Sequence, residues 1–224
     1  MTEVDPPFPG ERGELFLRGP AGRLEVAVDL PGAATARRGV ALICHPHPLH
    51  GGSMHNKVVT MLERSLRECG LATVRFNFRG VGRSEGSFDE GRGETQDAIA
   101  VAEWLRRRRP EDQLWLGGFS FGAFVAARAA QTLPVACLVT VAPPVESWDF
   151  AGLARPECPW IVIQGAEDDV VSAEAVRRFV AGLDPPPVYV EIPATGHFFH
   201  RRLMDLRGAL KHAVRPFLPP PSPA

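Results

Sequence analysis

The chain reads as an α/β protein with a mostly parallel central sheet. Two patterns predict this class. Short, continuously apolar runs, of the kind a strand shows when both its faces are covered, recur along the sequence. Amphipathic helical stretches alternate with them, separated by turns marked with Gly or Pro.

Taken in order, residues 14–17 and 24–30 form a hairpin across Gly19-Pro-Ala-Gly22, because Leu24, Val26 and Val28 alternate with Glu25, Ala27 and Asp29. Residues 40–44 are a buried strand. A helix follows over 56–69, with Val59, Leu62 and Leu66 at spacings of three and four. Residues 72–78 are the next strand, and 94–108 a helix carrying Ile99, Ala102 and Leu105 on one face. The strand at 114–119 runs almost without a loop into an Ala-rich helix at 121–131. Strands at 136–142 and 160–164 precede a helix at 173–183, which Asp184-Pro-Pro-Pro187 stops. A strand at 188–192 and a helix at 203–217 complete the order. One domain is expected over 14–217. A flexible segment, 1–13, precedes it, and a Pro-rich tail, 218–224, follows with little to order it.

Composition narrows the function. At 224 residues and 45% hydrophobic, the chain builds a core without disulfide or metal staples. Twenty-five basic against 26 acidic side chains leave a net charge of −1, which lacks the footprint of a nucleic-acid binder. Cys44, Cys69, Cys137 and Cys158 show no paired spacing, and Cys44 and Cys137 lie in apolar runs as inert thiols do. The first residues are acidic and Pro-rich with no apolar leader, and no run approaches the roughly 18 apolar residues of a membrane span. A cytoplasmic protein is expected, with no cofactor and neither nucleic acid nor membrane as partner. A homodimer is left open.

The chemistry concentrates at strand ends. Gly118-Phe-Ser-Phe-Gly122 falls between a buried strand and a helix, where a sharp turn would push Ser120 out above the sheet. A serine hydroxyl needs a base, and the base an orienting acid. Asp168 follows the strand at 160–164 through Gly165-Ala-Glu-Asp168, and His197 follows the last strand in Gly196-His197. Each has a plainer reading, Asp168 as a turn carboxylate and His197 as a loop histidine. His45, His47, His50 and His55 invite a metal reading, but the spacing matches no zinc pattern and no carboxylate is interleaved, so no metal is expected. The Gly-rich stretch after Arg79 lacks the spacing of a nucleotide loop. Glu94 is expected to pair with Arg79 or Arg83.

Together these residues make the chain resemble the α/β-hydrolase superfamily, and within it a compact, lid-less bacterial branch of serine hydrolases. The resemblance rests on Cys44-His-Pro-His-Pro-Leu-His-Gly-Gly52, Asn77-Phe-Arg-Gly-Val-Gly-Arg-Ser84, Gly117-Gly-Phe-Ser-Phe-Gly122, Gly165-x-x-Asp168 and Gly196-His-Phe-Phe199. It implies an α/β-hydrolase fold of eight or so strands with helices on both faces and no large cap domain. It also implies Ser120 as nucleophile, Asp168 as acid and His197 as base. Asp169 suits the acid's place less well, since Asp168 stands three residues after Gly165 and just before Val170-Val171. For the oxyanion hole it implies the N–H of Phe121 and one from the loop after the third strand. Pro46 and Pro48 have no N–H, so His47 is the donor expected there and Leu49 the second choice.

Residues 143–159 leave no room for a large lid. An open, shallow cleft is therefore expected, walled by Leu49, Phe121, Trp148, Phe150, Phe198 and Phe199, accepting a small-molecule acyl substrate. The expected activity is that of a carboxylesterase-like serine hydrolase. A thioesterase or peptidase with the same three residues, and a non-catalytic scaffold that binds a small molecule or protein, are the alternatives.

Overall fold

The computed structural model describes residues 5–222, so the expectations for residues 1–4 and 223–224 lie outside the described residues. Eight strands form one sheet: β1 (Gly13–Gly19), β2 (Gly22–Asp29), β3 (Gly39–Cys44), β4 (Ala72–Phe76), β5 (Gln113–Phe119), β6 (Cys137–Val141), β7 (Trp160–Gly165) and β8 (Val188–Ile192). Five helices join them: α1 (Lys57–Glu68), α2 (Arg92–Arg108), α3 (Phe121–Ala129), α4 (Ala173–Ala181) and α5 (Leu203–Val214). The spatial order is β1-β2-β4-β3-β5-β6-β7-β8. The β1–β2 and β2–β4 pairs are antiparallel and every later pair is parallel. This is an α/β-hydrolase fold.

The central strands are buried at every position because side chains alternate between two cores. From β3, Val40, Leu42 and Cys44 enter the core that includes residues of α2, α3 and α4. Ala41 and Ile43 enter the opposite one, which includes residues of α1 and α5. β1, at the sheet edge, has the mixed burial of an edge strand.

Several boundaries differ from expectation, each for a local reason. α2 starts at Arg92, two residues early, because the Glu94 carboxylate accepts hydrogen bonds from the backbone of Gly91 (2.8 Å) and Asp89 (2.9 Å), closing the first turn. Glu94 therefore pairs with neither arginine. Arg79 makes a two-pronged bond to Asp97 (2.9 and 2.7 Å), and Arg83 reaches Glu25 and Glu14. On the same helix Ala98, Val101 and Trp104 are buried with Ala102 and Leu105, while Ile99 is only partly covered. β4 ends two residues early: Asn77 N–H still donates across to Glu25 O, but Phe78 N–H turns to the His45 ring instead of a strand partner.

The chain ends are also more tied than expected. Phe8 packs on Trp104 at 5.6 Å, and the Trp104 indole donates to Pro6 O. Pro219 is buried, and residues 219–222 lie along 36–38, with Arg38 N–H donating to Pro220 O and Ser222 N–H to Ala36 O. Proline lacks a donor but keeps its carbonyl, so a Pro-rich strand can still be held by a donor-bearing neighbour.

Candidate functional site

β5 and α3 meet with Ser120 alone between them, and Ser120 sits at φ 53°, ψ −123°. That left-handed conformation turns the side chain out at the sheet's carboxyl edge, a strain the surroundings must hold. They do so by close approach. A methyl on Gly118 would overlap the backbone of Gly122, and one on Gly122 would overlap the carbonyl oxygens of Cys44 and His45. Ser120 N–H donates to Val141 O at 2.9 Å, tying the turn to β6.

Asp168 follows β7 and fills both of its sequence readings, one with each oxygen. Oδ1 accepts from the backbone of Val170 (2.9 Å) and Val171 (2.7 Å), as a turn carboxylate does. Oδ2 lies 2.9 Å from Nδ1 of His197, and the carboxylate is fully buried. His197 Nε2 stands 3.1 Å from Ser120 Oγ. A carboxylate only accepts, so Nδ1 carries the proton and Nε2 is free to accept from the serine hydroxyl. The imidazole is buried between Phe119 and Phe198, each with its ring centre 5.0 Å away. Asp169 is exposed.

Gln164, the buried side chain next to the end of β7, is a member the sequence reading missed. Its amide donates to Asp168 Oδ2 at 3.0 Å, on the oxygen His197 uses, and to Val171 O at 3.1 Å. The signal was an amide closing an otherwise apolar run, four residues ahead of the acid.

His47 caps a short 3₁₀ turn, Pro48–His50. Leu49 N–H donates to His47 Nδ1 at 3.2 Å, so the second-choice oxyanion donor is already engaged. Among the described residues the amides of His47 and Phe121 donate to no protein group. Phe121 is the first residue of α3, where helix geometry leaves its N–H without an internal partner. The His47 and Phe121 rings are 5.1 Å apart. Burial, and beside it the charge of His50, hold the His47 imidazole below its ordinary pKa.

The other histidines take separate places. His45 is buried, bonded to Pro46 O through Nδ1 (2.7 Å) and accepting from Phe78 N–H through Nε2 (3.1 Å). His50 stacks on His47 at 4.4 Å, and His55 is exposed ahead of α1. Among the described residues no His/Cys/Asp/Glu group is arranged to hold a metal ion.

The expected walls divide. Leu49 and Phe198 are exposed (69% and 51%), and Trp148 is half-buried. Phe150 and Phe199 are not walls: Phe150 packs between Phe124 and Phe179, and Phe199 points into the α1/α5 core with its ring 6.5 Å from that of Phe119. Aromatic residues in turns bury wherever the backbone lets them reach a core, and Phe199, at φ 51°, is turned inward. Phe88, not expected at the site, has its ring 4.8 Å from His47. Only turns join β6 to β7, and both polar atoms of the Gln131 side-chain amide bond Ala154 to fasten this segment to the turn that follows α3.

Comparison with known proteins agrees with this architecture. Residues 42–157 match a family model described as alpha/beta hydrolase fold. An uncharacterized protein of Rickettsia prowazekii is 35% identical over 207 residues, 88% of this chain and 86% of that protein. Among solved structures, an a/b serine hydrolase without lid from Xanthomonas campestris is 53% identical with a TM-score of 0.94, covering 98% of this chain and 100% of that one. An alpha-beta serine hydrolase homologue from Coxiella burnetii is 45% identical with a TM-score of 0.88, over 92% and 98% of the two chains.

Proposed function

Because this chain belongs to the α/β-hydrolase family, we propose that it is a serine hydrolase cleaving small or exposed acyl esters. The observation that carries the reading is the unbroken line from Ser120 Oγ to His197 Nε2 (3.1 Å) and from His197 Nδ1 to Asp168 Oδ2 (2.9 Å). His197 takes the serine proton as Ser120 attacks a carbonyl carbon, and Asp168 stabilises the imidazolium that forms. The N–H groups of His47 and Phe121 hold the oxyanion, helped by the positive end of α3. His197 then protonates the leaving alcohol. An acyl-Ser120 remains, and water deprotonated by the same imidazole hydrolyses it. The lid-less rim supports a substrate whose acyl group is short or presented openly.

The test is Ser120→Ala. Hydrolysis of p-nitrophenyl butyrate should fall by about 10⁵- to 10⁶-fold, to background, and covalent labelling by a fluorophosphonate should vanish. Undiminished turnover in that variant would remove the serine from the reaction.

A further inference from the structure

Ser120 stands between Phe119, which belongs to one core, and Phe121, which belongs to the other, and further rings gather on each side. Phe119, His197 and Phe198 lie toward the α1/α5 side. Phe121, Trp148, Phe88 and His47 lie toward the α2/α3/α4 side. In the second set the His47 ring centre is 4.8 Å from Phe88, 5.1 Å from Phe121 and 6.0 Å from Trp148, at interplanar angles of 42° to 52°. Phe121 is the buried floor of this group, while His47, Phe88 and Trp148 are each only half-buried. The rings therefore form a shelf that starts from the residue after Ser120. His50 covers one face of the His47 ring, stacked at 4.4 Å, and the half-buried Phe88 and Trp148 keep ring surface open to solvent.

Reaction geometry says which half of a substrate reaches this shelf. The departing alcohol oxygen must lie within reach of His197 Nε2 to be protonated, which puts the alcohol on the Phe198 side. The oxyanion is held by the amides of His47 and Phe121. The remaining bond of the tetrahedral carbon carries the acyl substituent, which points away from His197 and so to the other side of Ser120, where Phe121 and the rings packed against it stand. Tilted ring faces favour a planar aromatic guest, by offset or edge-to-face packing, over a saturated group of equal size. A flexible alkyl chain would in addition lose rotamer freedom on settling there.

Resting on the serine hydrolase reading, we infer that His47, Phe88 and Trp148 form an acyl-side subsite for aromatic carboxylic esters, those with an aryl ring a short spacer away from the carbonyl. Phe198 contacts the alcohol half.

Two esters matched in leaving group and bulk test this: p-nitrophenyl 3-phenylpropanoate and p-nitrophenyl 3-cyclohexylpropanoate. The wild-type chain should favour the phenyl ester in kcat/KM by about tenfold, the size of a good aromatic pair. Trp148→Leu should bring that ratio toward one, whereas Phe198→Leu should lower both esters together and preserve it. A wild-type ratio near one, or a ratio that collapses in Phe198→Leu and persists in Trp148→Leu, overturns the inference. Fluorophosphonate labelling separates the two levels. If Ser120 is labelled and the ratio is one, the subsite alone is wrong. If Ser120 is neither labelled nor able to turn over either ester, the hydrolase reading and the subsite fall together.

Discussion

Asp168 shows how much one residue's hydrogen bonds decide. With two backbone amides on Oδ1, and Gln164 and His197 on Oδ2, the carboxylate has little freedom to rotate away from the imidazole. Gln164 is thus a positioning residue for Asp168. Replacing it with leucine keeps the apolar volume but frees one side of Oδ2. Gln164→Leu should lower kcat/KM for p-nitrophenyl butyrate by about 10- to 100-fold, the range that a small misplacement of a reacting group produces. An equal loss in the rate of fluorophosphonate labelling would locate the effect in activation of Ser120. Ser120, Asp168 and His197 were legible because each stands in a short motif at a strand end. Gln164 was not, because an amide in an apolar run does not state what it faces.

At the scale of elements, one imidazole joins two strands of the sheet. His45 follows β3 and accepts, through Nε2, the N–H of Phe78 just past β4. Burial pushes its pKa down from 6.5 to about 3, partly opposed by the bond to Pro46 O, so the folded protein keeps it neutral. The unfolded chain takes up this proton as the pH falls through 6.5 and the folded chain not until about 3, so acid favours unfolding. The stabilisation is complete above pH 6.5 and declines toward pH 3, at about 1.4 kcal/mol per pH unit from this group alone. Urea unfolding between pH 7 and pH 4 should therefore show a shallower loss of stability in His45→Gln than in the wild type. Parallel slopes would show that His45 is not the group responsible. Element order was readable from apolar periodicity, but the ends were not. α2 gains its first turn from the Glu94 carboxylate, and the Pro-rich tail is held by donors nearly two hundred residues away in the chain.

Across the whole molecule, the decisive feature is a short crossing from β6 to β7 with no helix inserted over Ser120. Long acyl chains need a covered apolar tunnel to bury their methylenes, and a rim of turns offers none. Turnover should accordingly rank p-nitrophenyl acetate and butyrate above palmitate in an acyl-length series, and a palmitate preference would contradict an open cleft. Among the described residues no helix is long and apolar enough to cross a membrane.

The order of strands and helices, the parallel sheet and the three converging side chains could be read from the sequence alone. Each is written in local patterns: runs covered on both faces, glycines that give clearance, and motifs at strand ends. Tertiary structure alone decided that Phe150 and Phe199 turn inward while Phe88 joins the site, that Arg79 pairs with Asp97, and that Gln164 braces Asp168. The physical reason is that these outcomes depend on partners from other segments, which are brought within hydrogen-bonding or packing distance only when the sheet has assembled.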